Sequence, residues 1–291
     1  MKNFINNFKF NYSVKVNFPS KTTEIILKIL PYFRGCWLLY CRFFSLWRKN
    51  WRQIKIEVIL DDKLIFSVIF DLSNPTEFNM VRQERFDLGS ALTIWSLLER
   101  DDLFIDVGAN FGYFSRIAKD KISPDGKVVA IEPNKAAFNL LMRGNTANME
   151  VINKVVGQKS GEKFHIHKPF YRQTTGSRFL LDPNGEIESI SLSDVYLNLN
   201  RPKVKLIKID TEGAELPVLE GAQEIFKSEK PFVIAEVSDY SKHFHYRSND
   251  VYEFMKRLGY IYFYSISDKD VSMTAITEPI EGQILFSPIK L

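Results

Sequence analysis

Residues 104–118, FIDVGANFGYFSRIA, constrain the fold most: an apolar run reaches an acid, turns through two glycines and continues with a helical period. Phe104, Ile105 and Val107 read as the end of a buried strand, whereas Phe114, Ile117 and Ala118 recur at the spacing of one helix face. The turn between them is tight. Gly108 and Gly112 permit positive φ there and let a bound molecule approach the backbone with no Cβ in the way. From Asp101 onward strand-like and helix-like segments alternate, with strands expected at 103–107, 128–131, 151–156, 205–209, 232–237, 260–264 and 283–287. Helices are expected at 112–121, 134–144, 216–227 and 251–258. This alternation predicts an α/β fold around a doubly wound, mostly parallel seven-stranded sheet, whose ligands bind beyond the carboxyl ends of the strands.

The loop chemistry narrows the ligand. A dinucleotide fingerprint needs a third glycine so that a pyrophosphate can lie on the helix N-terminus; here Asp106 precedes Gly108 and Asn110 stands between the two glycines. An aspartate repels a pyrophosphate but suits an ammonium group or a hydrogen-bond donor. The next strand ends in Ile131-Glu132-Pro133, where an acid commonly accepts from ribose hydroxyls. A nucleoside with a cationic, phosphate-free tail satisfies both, and S-adenosylmethionine is the obvious candidate. A nicotinamide oxidoreductase would share the sheet but should carry the third glycine and lack Asp106.

Three blocks together resemble the FkbM-type methyltransferases: Asp106-Val107-Gly108-Ala109-Asn110-Phe111-Gly112-Tyr113-Phe114, Ile131-Glu132-Pro133-Asn134, and Lys208-Ile209-Asp210-Thr211-Glu212-Gly213-Ala214-Glu215. The resemblance covers roughly residues 80–240. It implies a class I, Rossmann-like methyltransferase fold using S-adenosyl-L-methionine, and most often O-methylation of a hydroxyl on a sugar, a glycan or a related natural product. Carried over, Asp106, Gly108, Ala109, Asn110 and Gly112 would line the methionine end of the cofactor, while Glu132 and Pro133 would hold the ribose. Where such proteins often have Thr-Leu-Asp, this chain has Ser191-Leu192-Ser193-Asp194, with the aspartate displaced by one position.

In the third block Asp210 ends an apolar strand and is the first candidate for contact with the acceptor hydroxyl or the transferred methyl; Glu212 lies two residues on, and Glu215 reads as a helix-start acid. A carboxylate need only accept the hydroxyl proton late in an in-line displacement. Binding of a divalent cation by these carboxylates is the alternative, though no metal site is forced. His165 and His167 fit a solvated strand face, whereas His243 and His245 follow a strand end on the active edge and are acceptor-site candidates, His243 as a catalytic group. Residues 160–190 interrupt the alternation with polar and aromatic residues, as an acceptor-binding wall or a surface hairpin would. A non-catalytic nucleoside-binding module remains a rival reading; it should have lost Glu132 or Asp210, and both are present.

Charge divides the chain. Residues 1–52 hold ten basic residues against one acidic, leaving 29 basic against 34 acidic over 53–291. This sets a basic, aromatic-rich N-terminal extension (1–52), expected to be helical and followed by a hairpin at 54–70, against a methyltransferase-like domain (53–291). Trp37, Phe43, Phe44, Trp47 and Trp51 among Arg42, Arg48 and Lys49 suit either peripheral membrane contact through 25–52 or packing on the body. The acidic remainder argues against a nucleic-acid partner. No secretory signal or membrane-spanning run is visible, and Cys36 and Cys41, five apart on an expected helix, are poorly placed to pair, so a cytoplasmic location is expected.

Overall fold

The computed structural model describes residues 7–9, 12–21, 23–24, 27, 36–46, 53–60, 63–74, 77–78, 80–81, 86–143, 147–167, 178–238 and 245–291. The chain forms two compact units, Met1–Lys9 with Gly89–Leu291, and Phe10–Leu88. The units therefore divide at Leu88/Gly89, whereas the charge boundary lies near residue 52. Strand β1 (Asn7–Lys9) belongs to the larger unit.

In the smaller unit β2 (Tyr12–Asn17) precedes helix α1 (Cys36–Ser45), and β3 (Gln53–Leu60) and β4 (Lys63–Asp71) form the expected hairpin. β2 pairs with β3, so part of the N-terminal extension is strand and joins the hairpin in one antiparallel sheet. Ile54, Ile56 and Val58 are buried, as are Phe66, Val68 and Phe70; this period-two pattern makes one face of the sheet a core. After β4 the Asn74 side chain accepts from the Glu77 backbone N–H at 3.0 Å, as an N-cap residue does. On α1, Phe44 is fully buried while Phe43 and Leu46 are exposed.

The larger unit continues with α2 (Leu88–Leu97), β5 (Leu103–Val107), α3 (Tyr113–Ile122), β6 (Lys127–Ile131), α4 (Lys135–Met142) and β7 (Met149–Ile152). A second run follows: β8 (Val155–Val156), β9 (Lys163–His167), β10 (Arg178–Leu181), β11 (Ile187–Ile190) and α5 (Leu192–Asn198). The fold closes with β12 (Val204–Ile209), α6 (Glu215–Glu220), α7 (Gln223–Ser228), β13 (Phe232–Val237), α8 (Ser248–Arg257), β14 (Tyr262–Ser267), β15 (Ser272–Ile276) and β16 (Gly282–Ser287).

The main sheet has the order β1-β15-β14-β16-β13-β12-β5-β6-β7. Neighbours from β13 to β7 run parallel, and those from β1 to β13 antiparallel. The seven expected strands are all in it, and β15 and β1 extend its edge to nine. Residues 151–156 divide: β7 stays in the main sheet, while β8 joins a small sheet of order β10-β9-β11-β8. Within 160–190 the described residues form β9, β10 and β11, and β9 pairs antiparallel with β10, as the surface-hairpin reading expects. The single helix expected at 216–227 breaks at Gly221 into α6 and α7.

Both faces of the central strands are covered, so β5 is buried at every position. One face packs Ile105, Val107, Ile207 and Val233 against α5–α8; the other packs Phe104, Val128, Leu206 and Ile234 against α2, α3 and α4. Strand order reverses between β5 and β12, which places a switch point at their carboxyl ends.

Candidate active site

Register brings the site residues together. β5 pairs Asp106 with Lys208 of β12, and β12 pairs Ile209 with Ala235 of β13. One step beyond, Asp210 stands beside Glu236, which itself pairs with Gln283 of β16. Residues abreast in neighbouring strands share a face, so a polar row runs along the carboxyl edge from Glu132 past Gly108 to Asp210, Glu236 and Gln283.

Gly108 lies at φ +79, and a Cβ built on it would sit 1.9 Å from the Asp210 carbonyl oxygen. The two loops are in main-chain contact, which only glycine allows. Gly108 and Ala109 both donate to the Ile131 carbonyl, at 3.0 and 3.1 Å, and Asp210 N–H donates to Val107 O at 3.0 Å. Gly112, at φ +87, opens α3 with its Cβ position 2.4 Å from Leu141 Cδ1.

Glu132 ties the first two loops. Its Oε2 accepts from Asn110 N–H at 2.8 Å and its Oε1 from Asn134 N–H at 2.7 Å. Burial raises its pKa to about 7 against these two hydrogen bonds. Each oxygen keeps a lone pair for a further donor. Asn153, which carried no sequence signal, fixes the same turn by donating from Nδ2 to the carbonyls of Glu132 and Pro133 at 2.8 and 2.9 Å.

Asp106 is equally buried, and Ser115 of α3 donates to its Oδ2. Burial pushes its pKa up to about 6, opposed by the nearby Lys208 ammonium. That ammonium is 1% exposed, donates to Asp210 Oδ2 at 2.7 Å and lies 4.6 Å from the centre of the Phe114 ring. Burial alone would depress the Lys208 pKa, but Asp210 and Asp106 outweigh it and hold the group above its ordinary value. Asp210 is under the opposite balance: burial raises its pKa, yet Lys208 and a hydrogen bond from Glu236 bring it below the carboxylate range. Burial and the adjacent Asp210 charge push Glu236 to about 8, so at neutral pH the pair shares one proton.

The loop after Asp210 is clamped from below. Glu215, expected only as a helix-start acid, is buried, and its Oε1 accepts from the Thr211 N–H, Thr211 Oγ1 and Gly213 N–H at 3.0–3.2 Å. Tyr246 donates to the Gly213 carbonyl and accepts from Leu216 N–H at 3.2 Å. Glu212 adopts φ +55 in this turn, and its charge raises Glu236 further.

Of the other candidates, Asp194 and His165 stand on other elements, α5 and β9. Asp194 lies in the first turn of α5: Ser191 caps the helix by accepting from the Asp194 N–H at 3.1 Å, and Ser160 and Ser191 donate to the Asp194 carboxylate. His165 pairs with Glu186 at 3.0 Å, both half exposed, on the small sheet. His245 is exposed at φ +63; His243 lies outside the described residues. Among the described residues no three His, Cys, Asp or Glu side chains cluster as a metal site, and no helix is long and apolar enough to cross a membrane.

Around the β5, β6 and β12 loops stand the acceptors Asp106, Glu132, Asp210 and the buried Asn110 Oδ1, which has no hydrogen-bond partner among the described residues. This set fits a ligand that presents N–H and O–H donors and positive charge, and it does not fit a phosphate.

The Methyltransferase FkbM domain model matches residues 106–262, more than half of the chain and the span that contains every loop of this site. The hexuronic acid methyltransferase AglP of Haloferax volcanii is 27% identical over 195 residues, 65% of this chain and 80% of that protein. The methyltransferase sdnD of Sordaria araneosa is 28% identical over 164 residues, which span 44% of this chain and 62% of that one. A crystal structure of methyltransferase FkbM from Methylobacillus flagellatus superposes with a TM-score of 0.42 at 18% identity, covering 65% of this chain and 44% of that one. The chain belongs to the FkbM methyltransferase family.

Proposed function

We propose that the protein is an S-adenosylmethionine-dependent O-methyltransferase whose acceptor is a hydroxyl of a sugar, a glycan or a related natural product. The observation that carries this reading is the place of Asp210: its main chain touches Gly108 of the donor-side loop, while its carboxylate faces Glu236 on the next strand. Methyl-donor and acceptor sites are thereby one strand apart. AglP, named for a hexuronic acid substrate, supports a sugar-derived acceptor.

The bound cofactor supplies a sulfonium methyl group. Asn110 Oδ1, Asp106 and Glu132 would hold its ammonium and ribose donors, as the acceptor-only character of that pocket wall requires. Asp210 would orient the acceptor oxygen; aligning oxygen, carbon and sulfur is where most acceleration arises. Lys208 keeps Asp210 ionised at neutral pH, the form that accepts the hydrogen bond from Glu236. His243 remains an acceptor-site candidate. No step requires a metal ion.

The first test is calorimetric titration of the full chain with S-adenosylhomocysteine and, separately, NAD. Binding of the first alone is expected, weakened at least tenfold by Glu132→Ala. Methyl transfer from labelled S-adenosylmethionine to a panel of simple glycosides and hexuronosides then follows, with NMR of the product to tell an ether from an ester. Nucleoside binding without transfer to any acceptor would favour the binding-module reading.

We also propose that α1 contacts an anionic membrane surface, since Phe43 and Leu46 are exposed beside the exposed Arg42.

A further inference from the structure

We propose that Glu236, acting as one half of a hydrogen-bonded carboxylate pair with Asp210, is the residue that takes the proton from the acceptor hydroxyl. The inference rests on the O-methyltransferase reading above and assigns its base. In the transfer, the acceptor O–H bond breaks and a new O–CH3 bond forms. The S–CH3 bond breaks with its electron pair passing to sulfur, and the proton passes to the Glu236 carboxylate and then to water.

Geometry separates the two acids. Asp210 is bound at 2.7 Å by a buried ammonium, which makes it a poor proton acceptor. Glu236 has no such cation at hydrogen-bond distance among the described residues. It stands one strand further from the Gly108–Gly112 loop, beside Asp210 and in register with Gln283. Near it are two buried polar atoms with no hydrogen-bond partner among the described residues, Gln283 Oε1 and, two residues along the chain, Ser238 Oγ. Three polar groups on neighbouring positions, two of them unsatisfied, are arranged as a hydroxylated ligand requires and as a packed core does not tolerate.

The charges facing Glu236 agree with the role. On β12 is Lys208; in the loop that follows are Asp210 and Glu212; its β16 neighbour Gln283 is uncharged. Burial and the two acids outweigh the ammonium and bring Glu236 to about 8, close to working pH, where a base is most effective. The active form of the pair is the one without its shared proton, so turnover should climb about tenfold per pH unit below that value and level off above it.

The test compares wild type, Glu236→Gln and Glu236→Asp, each as the full chain. Three readouts are needed: methyl transfer to a glycoside that the wild type accepts, S-adenosylhomocysteine affinity by calorimetry, and carboxyl 13C NMR against pH. Expected are a 10²–10⁴-fold loss of kcat in Glu236→Gln, cofactor affinity changed less than about threefold, and loss of the NMR titration near pH 8. Glu236→Asp should recover part of kcat with a displaced pH limb. A Glu236→Gln variant that keeps kcat and the wild-type pH limb overturns this assignment alone. A wild type that binds the nucleoside but methylates no acceptor overturns the enzyme reading and the assignment with it. Cofactor affinity lost in both variants would make Glu236 structural and also reject it as the base.

Discussion

Lys208 Nζ lies 2.7 Å from Asp210 Oδ2, an ammonium on a central strand with its side chain 1% exposed while its partner is 31% exposed. The pair spans the boundary between core and ligand edge: the cation is buried with Asp106 behind it, and the anion reaches the surface where the acceptor would sit. Removing the cation leaves the buried Asp106 carboxylate and the part-exposed Asp210 carboxylate without the charge that offsets them. Lys208→Met is expected to destabilise the protein by about 3–5 kcal/mol at pH 7, read from urea unfolding. The deficit should shrink toward pH 5, because both acids then fold protonated; a deficit independent of pH would show that lost packing on Phe114, not charge, is responsible.

Gly108 is the point where no side chain fits. Its φ of +79 and the 1.9 Å approach to the Asp210 carbonyl predict that Gly108→Ala forces the two loops apart. A cost of about 2–4 kcal/mol is expected, together with at least a tenfold loss of S-adenosylhomocysteine affinity. Gly112→Ala should cost less, since the atom in its way is the end of the Leu141 side chain. The opposite order would mean that the loop contact is not tight.

The pH dependence of stability follows from Glu132. Its pKa is raised from 4.5 to about 7, so the folded state holds a proton that the unfolded state releases. The stabilisation is full below about pH 4.5 and is lost as pH rises through 7. At about 1.4 kcal/mol per unit, that loss is roughly 2–4 kcal/mol. Glu132→Gln should flatten the stability–pH curve over this window whatever it costs overall, and calorimetric melting from pH 4.5 to 8 measures it. An unchanged slope would assign the dependence to Asp106 and Glu236.

The membrane contact is tested at its exposed apolar residues. The double variant Phe43→Asp, Leu46→Asp should abolish sedimentation with phosphatidylserine vesicles and leave neutral vesicles unaffected. Removing residues 1–50 is a poorer test, because it deletes β1 and β2, which pair within the two units. Vesicle binding that survives the double variant rejects α1 as the contact.

Much of this fold was legible because its central strands are covered on both sides and so appear as apolar runs interrupted by few polar residues; 103–107 and 232–237, broken only by Asp106 and Glu236, match residue for residue. On the small sheet β9 was legible, since Lys163-Phe164-His165-Ile166-His167 alternates polar and apolar residues and puts both histidines on a solvated strand face. β10 and β11 were not, because Arg178-Phe179-Leu180-Leu181 and Ile187-Glu188-Ser189-Ile190 follow no such alternation. The break between α6 and α7 was missed because apolar spacing persists through Gly221. At the site, Asp106, Gly108 and Asp210 could be picked from contiguous motifs. Glu236 and Asn153 could not, since their roles depend on which strands are neighbours and in what register. Glu215 looked like an ordinary helix-start acid until burial and three donors made it the clamp of its loop.

Strand β1 carries a consequence for how the chain is made. Phe8 pairs with Met273 and Lys9 with Ser272, so the edge of the main sheet joins residues more than 250 positions apart. During synthesis these residues emerge more than 250 positions ahead of their partner strand and must wait until it exists. Closing so long a loop is entropically costly but only weakly dependent on its length, and a three-residue pairing returns little. The edge should therefore be the last part of the sheet to form and the first to open, and until it forms β15 presents unpaired backbone to neighbouring nascent chains.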